Sequence, residues 1–154
     1  MRVNLIDPIF LLDQHLIAEK RELRMIPALL EKRSKKSPVI DYIPERFCLG
    51  TGHQKFWLDK FLYLEKRFNS LVDEMKRRGF HPDPEIKFAV DLAKHYGLYN
   101  DWEPEPEDYN MIEASIRERV MAKLGWYRYY GKPVDEKWLN IIYPTPILSE
   151  EILC

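Results

Sequence analysis

The chain reads as a mostly α-helical protein of one domain, and three features of its 154 residues point that way. Long stretches repeat their apolar residues at the spacing of a helix face. Those stretches start and stop on residues that cap helices. Alternation of the kind a half-buried strand needs dominates nowhere. The length suits a single compact domain, and 45% apolar residues are enough to give it a core.

The first helix is expected over residues 8–33. Asp7 followed by Pro8 fits an N-cap with proline in the first turn. Leu11, Leu12, Leu16, Leu23, Ile26, Leu29 and Leu30 supply its apolar pattern, and Pro27 predicts a kink or break. Residues 34–44 connect, and GTGH at 50–53 turns the chain. A second helix is expected over 54–78, with Phe56, Trp57, Phe61, Leu64, Phe68, Leu71, Val72 and Met75 on or near one stripe. Lys76, Arg77 and Arg78 close it ahead of Gly79. A short helix fits 84–95, DWEPEPEDYN (101–110) reads as a loop, and a third main helix fits 110–124. WYRYYGK (126–132) follows, then a proline-bearing tail over 133–154.

Charge and motifs narrow the function. The net charge is −1, which excludes a uniformly basic nucleic-acid binder. The charge is segregated, however. Residues 1–36, 54–80 and 114–137 are each net +3, while 81–113 is net −7. If the basic segments converge, a local positive face forms despite the neutral total; otherwise these are ordinary solvated helix faces. No stretch is long and apolar enough to cross a membrane, and the start lacks the run of a secretory signal. Cys48 and Cys154 make neither a disulfide framework nor a four-ligand zinc site. The expected location is therefore the cytoplasm or nucleoid.

There is no GxGxxG, Walker loop, HExxH or GxSxG. His15, His53, His81 and His95 lack metal-ligand spacing and read as structural. Glu19 and Glu22, one helical turn apart and interleaved with Arg21 and Arg24, taken alone suggest surface ion pairs. WYRYYGK is unusual in setting four aromatic residues around one arginine. Such a segment suits stacking on bases beside phosphate contacts, or equally a hydrophobic clamp over the core.

Taken together and in order, MRVNL, DQHLIAEKREL, GTGHQKFWLDK and WYRYYGK resemble the phage-type pyrimidine-dimer DNA glycosylase/AP lyase family. LEKRFNSLVDEMKRRGF (64–80) also follows that family's second helix, 81–112 match poorly, and the matched segments span 1–132. The resemblance implies an all-α, compact single domain of three main helices with long irregular loops. It also implies an N-terminal segment threaded between the helices. Residues 1–132 would form the glycosylase-like domain, and 133–154 a C-terminal extension packed on it.

The implied activity is excision at cyclobutane pyrimidine dimers in duplex DNA, with strand cleavage at the abasic site. The implied nucleophile is the N-terminal α-amine. The phage form has a small residue between its initiator methionine and the arginine. Here Arg2 follows directly and is too bulky for ordinary methionine removal, so Met1 is expected to persist and act. An α-amine, with a reference pKa of about 7.7–8.0, is partly neutral near pH 7 without deep burial.

Glu22 matches the family's essential carboxylate. Arg2, Gln14, Arg21 and Arg24 match or neighbour residues that hold the DNA, although Met25 stands where the phage form is basic. Arg117, Arg119 and Lys123 on the third helix, with Arg128 and Lys132, are the expected backbone grip. Trp126 is expected in the core. Tyr127, Tyr129 and Tyr130 line either the DNA-facing wall or the core. No cofactor or metal is implied. The expected partner is double-stranded DNA carrying pyrimidine dimers or abasic sites, met by a monomer without a membrane. Two alternatives remain open: the same chemistry on another base lesion, and a DNA-binding homologue without catalysis.

Overall fold

A computed structural model describes residues 2–82 and 89–144. The chain is mostly helical, as its apolar periodicity predicts, but two of the three long helices expected are divided into shorter ones. The expected 8–33 helix is a 3-10 turn, Pro8–Phe10, followed by α1 (Asp13–Glu22) and α2 (Met25–Arg33). Asp7 caps the turn as expected, its Oδ1 accepting the Ile9 N–H at 3.0 Å.

The break falls at Leu23 and Arg24 rather than at Pro27. Pro27 sits in the first turn of α2. A proline there costs little, because first-turn N–H groups have no carbonyl within the helix to bond.

The expected 54–78 helix is also interrupted. A short α3 (His53–Phe56) and a 3-10 turn, Trp57–Asp59, lead into α4 (Phe61–Arg77). Gly52, at φ 97°, turns the chain into α3; that left-handed conformation favours glycine. On α4, Phe61, Leu64, Phe68, Leu71, Val72 and Met75 are buried at helical spacing. The helix ends as its sequence predicts. The Phe80 N–H reaches the Met75 carbonyl at 2.9 Å and the Gly79 N–H that of Lys76 at 3.0 Å, closing the last turn around Gly79 at φ 80°.

Further on, α5 covers Val90–His95, the later part of the short helix expected there; 84–88 lie outside the described residues. α6 runs Pro106–Met121, starting four residues before the helix expected at 110. The stretch read as a loop supplies its start, with Pro106 in the first turn and the Glu105 N–H bonded to Asp108 Oδ2 at 2.8 Å. Within WYRYYGK, β1 (Arg128–Tyr129) pairs antiparallel with β2 (Lys132–Pro133). Tyr130 and Gly131 turn between them at φ 49° and 76°, the positive pair that a tight hairpin needs. α7 (Glu136–Ile142) follows, capped by Asp135 through the Trp138 N–H at 2.8 Å. The rest of the tail, 145–154, is outside the described residues.

The chain divides into two compact units. The first holds the residues up to Asn4 together with His15–Glu103; the second holds Leu5–Gln14 and the chain from Pro104 onward. The first unit's core includes Leu16, Leu23, Ile26, Trp57, Phe61 and Leu64, all fully buried. Beside them lies an aromatic cluster in which Phe47, Phe56, Trp57, Tyr63 and Trp102 meet edge-on or stacked. In the second unit, Ile112, Ile116 and Val120 of α6 are buried, as are Val134, Leu139 and Tyr143. Among the described residues, no helix is long and apolar enough to cross a membrane.

Candidate active site and nucleic-acid contacts

In the first unit, the N-terminal segment is held from both sides by three successive residues. The Arg2 backbone N–H donates to Glu22 Oε2 on α1 at 2.8 Å. The Val3 N–H donates to His53 Nε2 on α3 at 3.1 Å. The Asn4 side-chain amide donates to Glu19 Oε2, one turn before Glu22, at 2.9 Å. Val3 is fully buried, which fits a segment threaded between α1 and α3.

Charge is balanced inside this clamp. Glu19 is 1% exposed and Arg67 of α4 is 6% exposed. The guanidinium grips the carboxylate through Nε at 2.8 Å and an Nη at 3.1 Å, the paired geometry that makes arginine the best partner for a buried carboxylate. The suggestion of surface ion pairs fails for Glu19. A buried, hydrogen-bonded charge needs its partner, and the partner comes from 48 residues along the chain.

Sequence reasoning left His53 as a scattered histidine, yet the residue is 2% exposed and its ring is bonded at both nitrogens. Nδ1 lies 2.7 Å from the Cys48 carbonyl oxygen, which can only accept. Nε2 faces the N–H groups of Val3 and of the Trp57 indole, the latter at 3.3 Å, which can only donate. His53 is therefore the neutral, Nδ1-protonated tautomer. Burial pushes its pKa below the ordinary histidine range; the bond to Cys48 opposes that shift, and the nearby Arg2 charge reinforces it. The one signal that could have singled it out is its place in GTGHQKFWLDK, the segment that forms the turn into α3.

Of the remaining expected residues of the first unit, Arg21 and Arg24 lie within two positions of Glu22, and Arg2 is tied to it by its backbone. Arg21 and Arg24 are exposed; Arg2 and Glu22 are half-buried.

The second unit carries the other expected contacts. Both ends of the Gln14 amide brace the hairpin: Nε2 donates to the Trp126 carbonyl at 2.8 Å and Oε1 accepts the Arg128 N–H at 2.9 Å. Asp13 adds a third tie, accepting the Gly131 N–H at 2.8 Å. Arg128 and Lys132 are exposed, with Arg128 Nη1 on the Gly131 carbonyl at 3.0 Å. Arg119 and Lys123 are exposed, and Lys123 lies over the Trp126 ring. Arg117 is half-buried and donates to the Tyr143 carbonyl at 3.0 Å.

Trp126 is 56% exposed, so it is not the core residue expected; Tyr127 takes that part at 8%. Neighbouring positions in the hairpin arm face opposite ways, and only one of the two rings can point inward.

Among the described residues, no group of three or more histidine, cysteine or acidic side chains is arranged to hold a metal ion. What the first unit assembles is a carboxylate fixed against the peptide bond that joins residues 1 and 2.

Residues 1–88 match the family model for pyrimidine dimer DNA glycosylase. The match covers more than half of the chain, and the chain belongs to that family. It contains Glu19, Glu22, His53 and Arg67, so the clamp lies wholly inside the family's own segment. Membership implies DNA as the substrate.

Proposed function

We propose that the chain excises cyclobutane pyrimidine dimers from duplex DNA and then cuts the strand, with the Met1 amine as nucleophile and Glu22 as its acid–base partner. One observation supports this most directly: Glu22 accepts the Arg2 N–H at 2.8 Å. That nitrogen is only three covalent bonds from the Met1 amine, so the carboxylate is tied to the part of the chain that would react.

In this reading the amine lone pair attacks the sugar C1′ of the dimer's 5′ nucleotide. The C1′–N bond breaks with its electron pair moving to the base, which takes up a proton. The sugar ring opens at its oxygen and leaves an iminium on C1′. Glu22 stabilises that developing positive charge and then takes the acidified C2′ proton. The released electrons form a C2′–C3′ double bond and expel the 3′ phosphate, cutting the strand. Water hydrolyses the imine and frees the amine. An abasic site enters the same sequence after the glycosidic step.

The DNA backbone is held by Arg2, Arg21 and Arg24 in the first unit and by Arg117, Arg119, Lys123, Arg128 and Lys132 in the second. Gln14 acts by keeping the Arg128 strand in place. The protein works as a monomer.

Borohydride added to a mixture of the protein and duplex DNA carrying one thymine dimer tests this. The expected result is a covalent adduct that peptide mass mapping places on Met1. An adduct with an abasic site but none with the dimer would keep the lyase and move the lesion. No adduct with either, from protein with a free N-terminus, would overturn the reading.

A further inference from the structure

We propose that His53 is a positioning residue for the reaction: its unprotonated Nε2 holds the Val3 amide and so sets where the N-terminal amine stands relative to Glu22. The activity arm of this inference rests on the proposed reaction; the geometry does not. Successive backbone amides are held by opposite elements, Arg2 by α1 and Val3 by α3. With only the α1 bonds, one to the Arg2 amide and one to the Asn4 side chain, the peptide between them can still rotate. The Val3–His53 bond removes that freedom, because it fixes the next peptide from a different element.

The His53 ring is itself over-determined. The Cys48 carbonyl accepts the Nδ1–H hydrogen bond, and the Trp57 indole N–H shares Nε2 with Val3. Phe47 and Trp57 meet the ring edge-on at 5.4 and 5.9 Å between centroids. A ring held on every side offers Val3 an acceptor at one fixed point, as a group that orients a reactant must.

Two variants separate the acceptor from the ring. His53→Phe keeps the aromatic volume and removes the acceptor, whereas His53→Gln offers a carbonyl oxygen near the place of Nε2. Single-turnover adduct formation at an abasic site is measured with DNA saturating, alongside DNA affinity, the thermal transition and hydrogen exchange of the Val3 amide. His53→Phe is expected to slow adduct formation about ten- to a hundredfold, since a small misplacement of reacting groups costs rates of that order. DNA affinity should stay within about twofold, and Val3 should exchange faster. His53→Gln should recover most of both losses.

An unchanged rate and unchanged Val3 protection in His53→Phe would overturn the proposal, as would a Gln variant no better than the Phe variant. Should His53→Phe not fold, the Gln variant and the wild-type ring decide. Nitrogen-15 spectra must then show Nδ1 protonated and Nε2 bare, and an Nε2-protonated ring overturns the proposal. If wild-type protein forms no adduct at all, the proposed reaction fails by itself. Val3 exchange then rules on His53 alone: protection lost with Phe and kept with Gln supports it, and no change overturns it.

Discussion

In the N-terminal clamp, Glu19 and Arg67 are almost entirely buried and grip each other through two hydrogen bonds. In the hairpin, Arg128 and Lys132 stand in solvent, and the bracing of the strand falls to the neutral amide of half-buried Gln14 and the carboxylate of buried Asp13. Both regions carry residues assigned to one reaction, yet they treat charge in opposite ways. Removing a charge from water costs several kcal/mol and is repaid only by well-made bonds. The clamp meets that cost and gains fixed geometry. A phosphate contact needs the reverse: a hydrated cation that exchanges water and counterions for the DNA backbone when it arrives. In the proposed reaction, burial thus marks where position matters, and exposure marks where charge matters.

The sharpest way to break the comparison is at Glu22, where the proposed reaction asks for position and charge together. Glu22→Gln keeps an oxygen to accept the Arg2 N–H but loses the negative charge and the base. Strand cleavage is expected to fall about a thousandfold or more, within the range that a positioned acid–base group supplies. Binding to dimer-containing duplex should persist, and the thermal transition should hardly move. Single-turnover cleavage and a binding titration on the same preparation check this. Loss of folding instead would make Glu22 a structural group.

The buried pair gives the next effect, on stability rather than rate. Arg67→Met leaves the Glu19 carboxylate buried with only Asn4 among its described partners. Breaking such a pair costs about 3–5 kcal/mol, which urea denaturation reads directly. Replacing both residues with apolar side chains of similar volume should recover much of that loss. A midpoint that stays put in Arg67→Met would mean the pair does not hold the clamp.

What was legible in the sequence follows the range of the forces involved. The stripe on α4 and its close at Gly79 were readable, because residues one turn apart decide them. The break after α1 was not. Pro27 looks like the interruption until its place in the first turn of α2 is known, and nothing local marks Leu23 and Arg24. The start of α6 was hidden because Pro106 and its acidic neighbours read equally well as a loop. The hairpin was missed because a tyrosine occupies a turn position where glycine or asparagine is the usual sign.

At the site, Glu22 and Arg2 were named only through the family resemblance; the spacing of Glu19 and Glu22 with Arg21 and Arg24 alone suggested surface ion pairs. Glu19–Arg67 and Val3–His53 join residues 48 and 50 positions apart, a separation across which periodicity carries no information.

The smallest effect sharpens the other side of the comparison. Arg128→Ala removes an exposed cation whose backbone N–H, not its side chain, is held by Gln14. If the guanidinium meets a phosphate, the variant should bind dimer-containing and undamaged duplex more weakly by similar factors. The slope of log affinity against log salt should fall by about 0.9, one contact's worth for duplex DNA. The preference for the lesion should not change, because a phosphate contact carries no information about the base. Gln14→Ala separates the two uses of this region. It leaves the cation in place and releases the strand beneath it, so the salt slope should hold while the Trp126 fluorescence and the hairpin's amide protection change. A slope that falls equally in both variants would show that the hairpin's shape, rather than the Arg128 charge, makes the contact. A flat salt dependence in the wild-type protein would remove the backbone grip altogether.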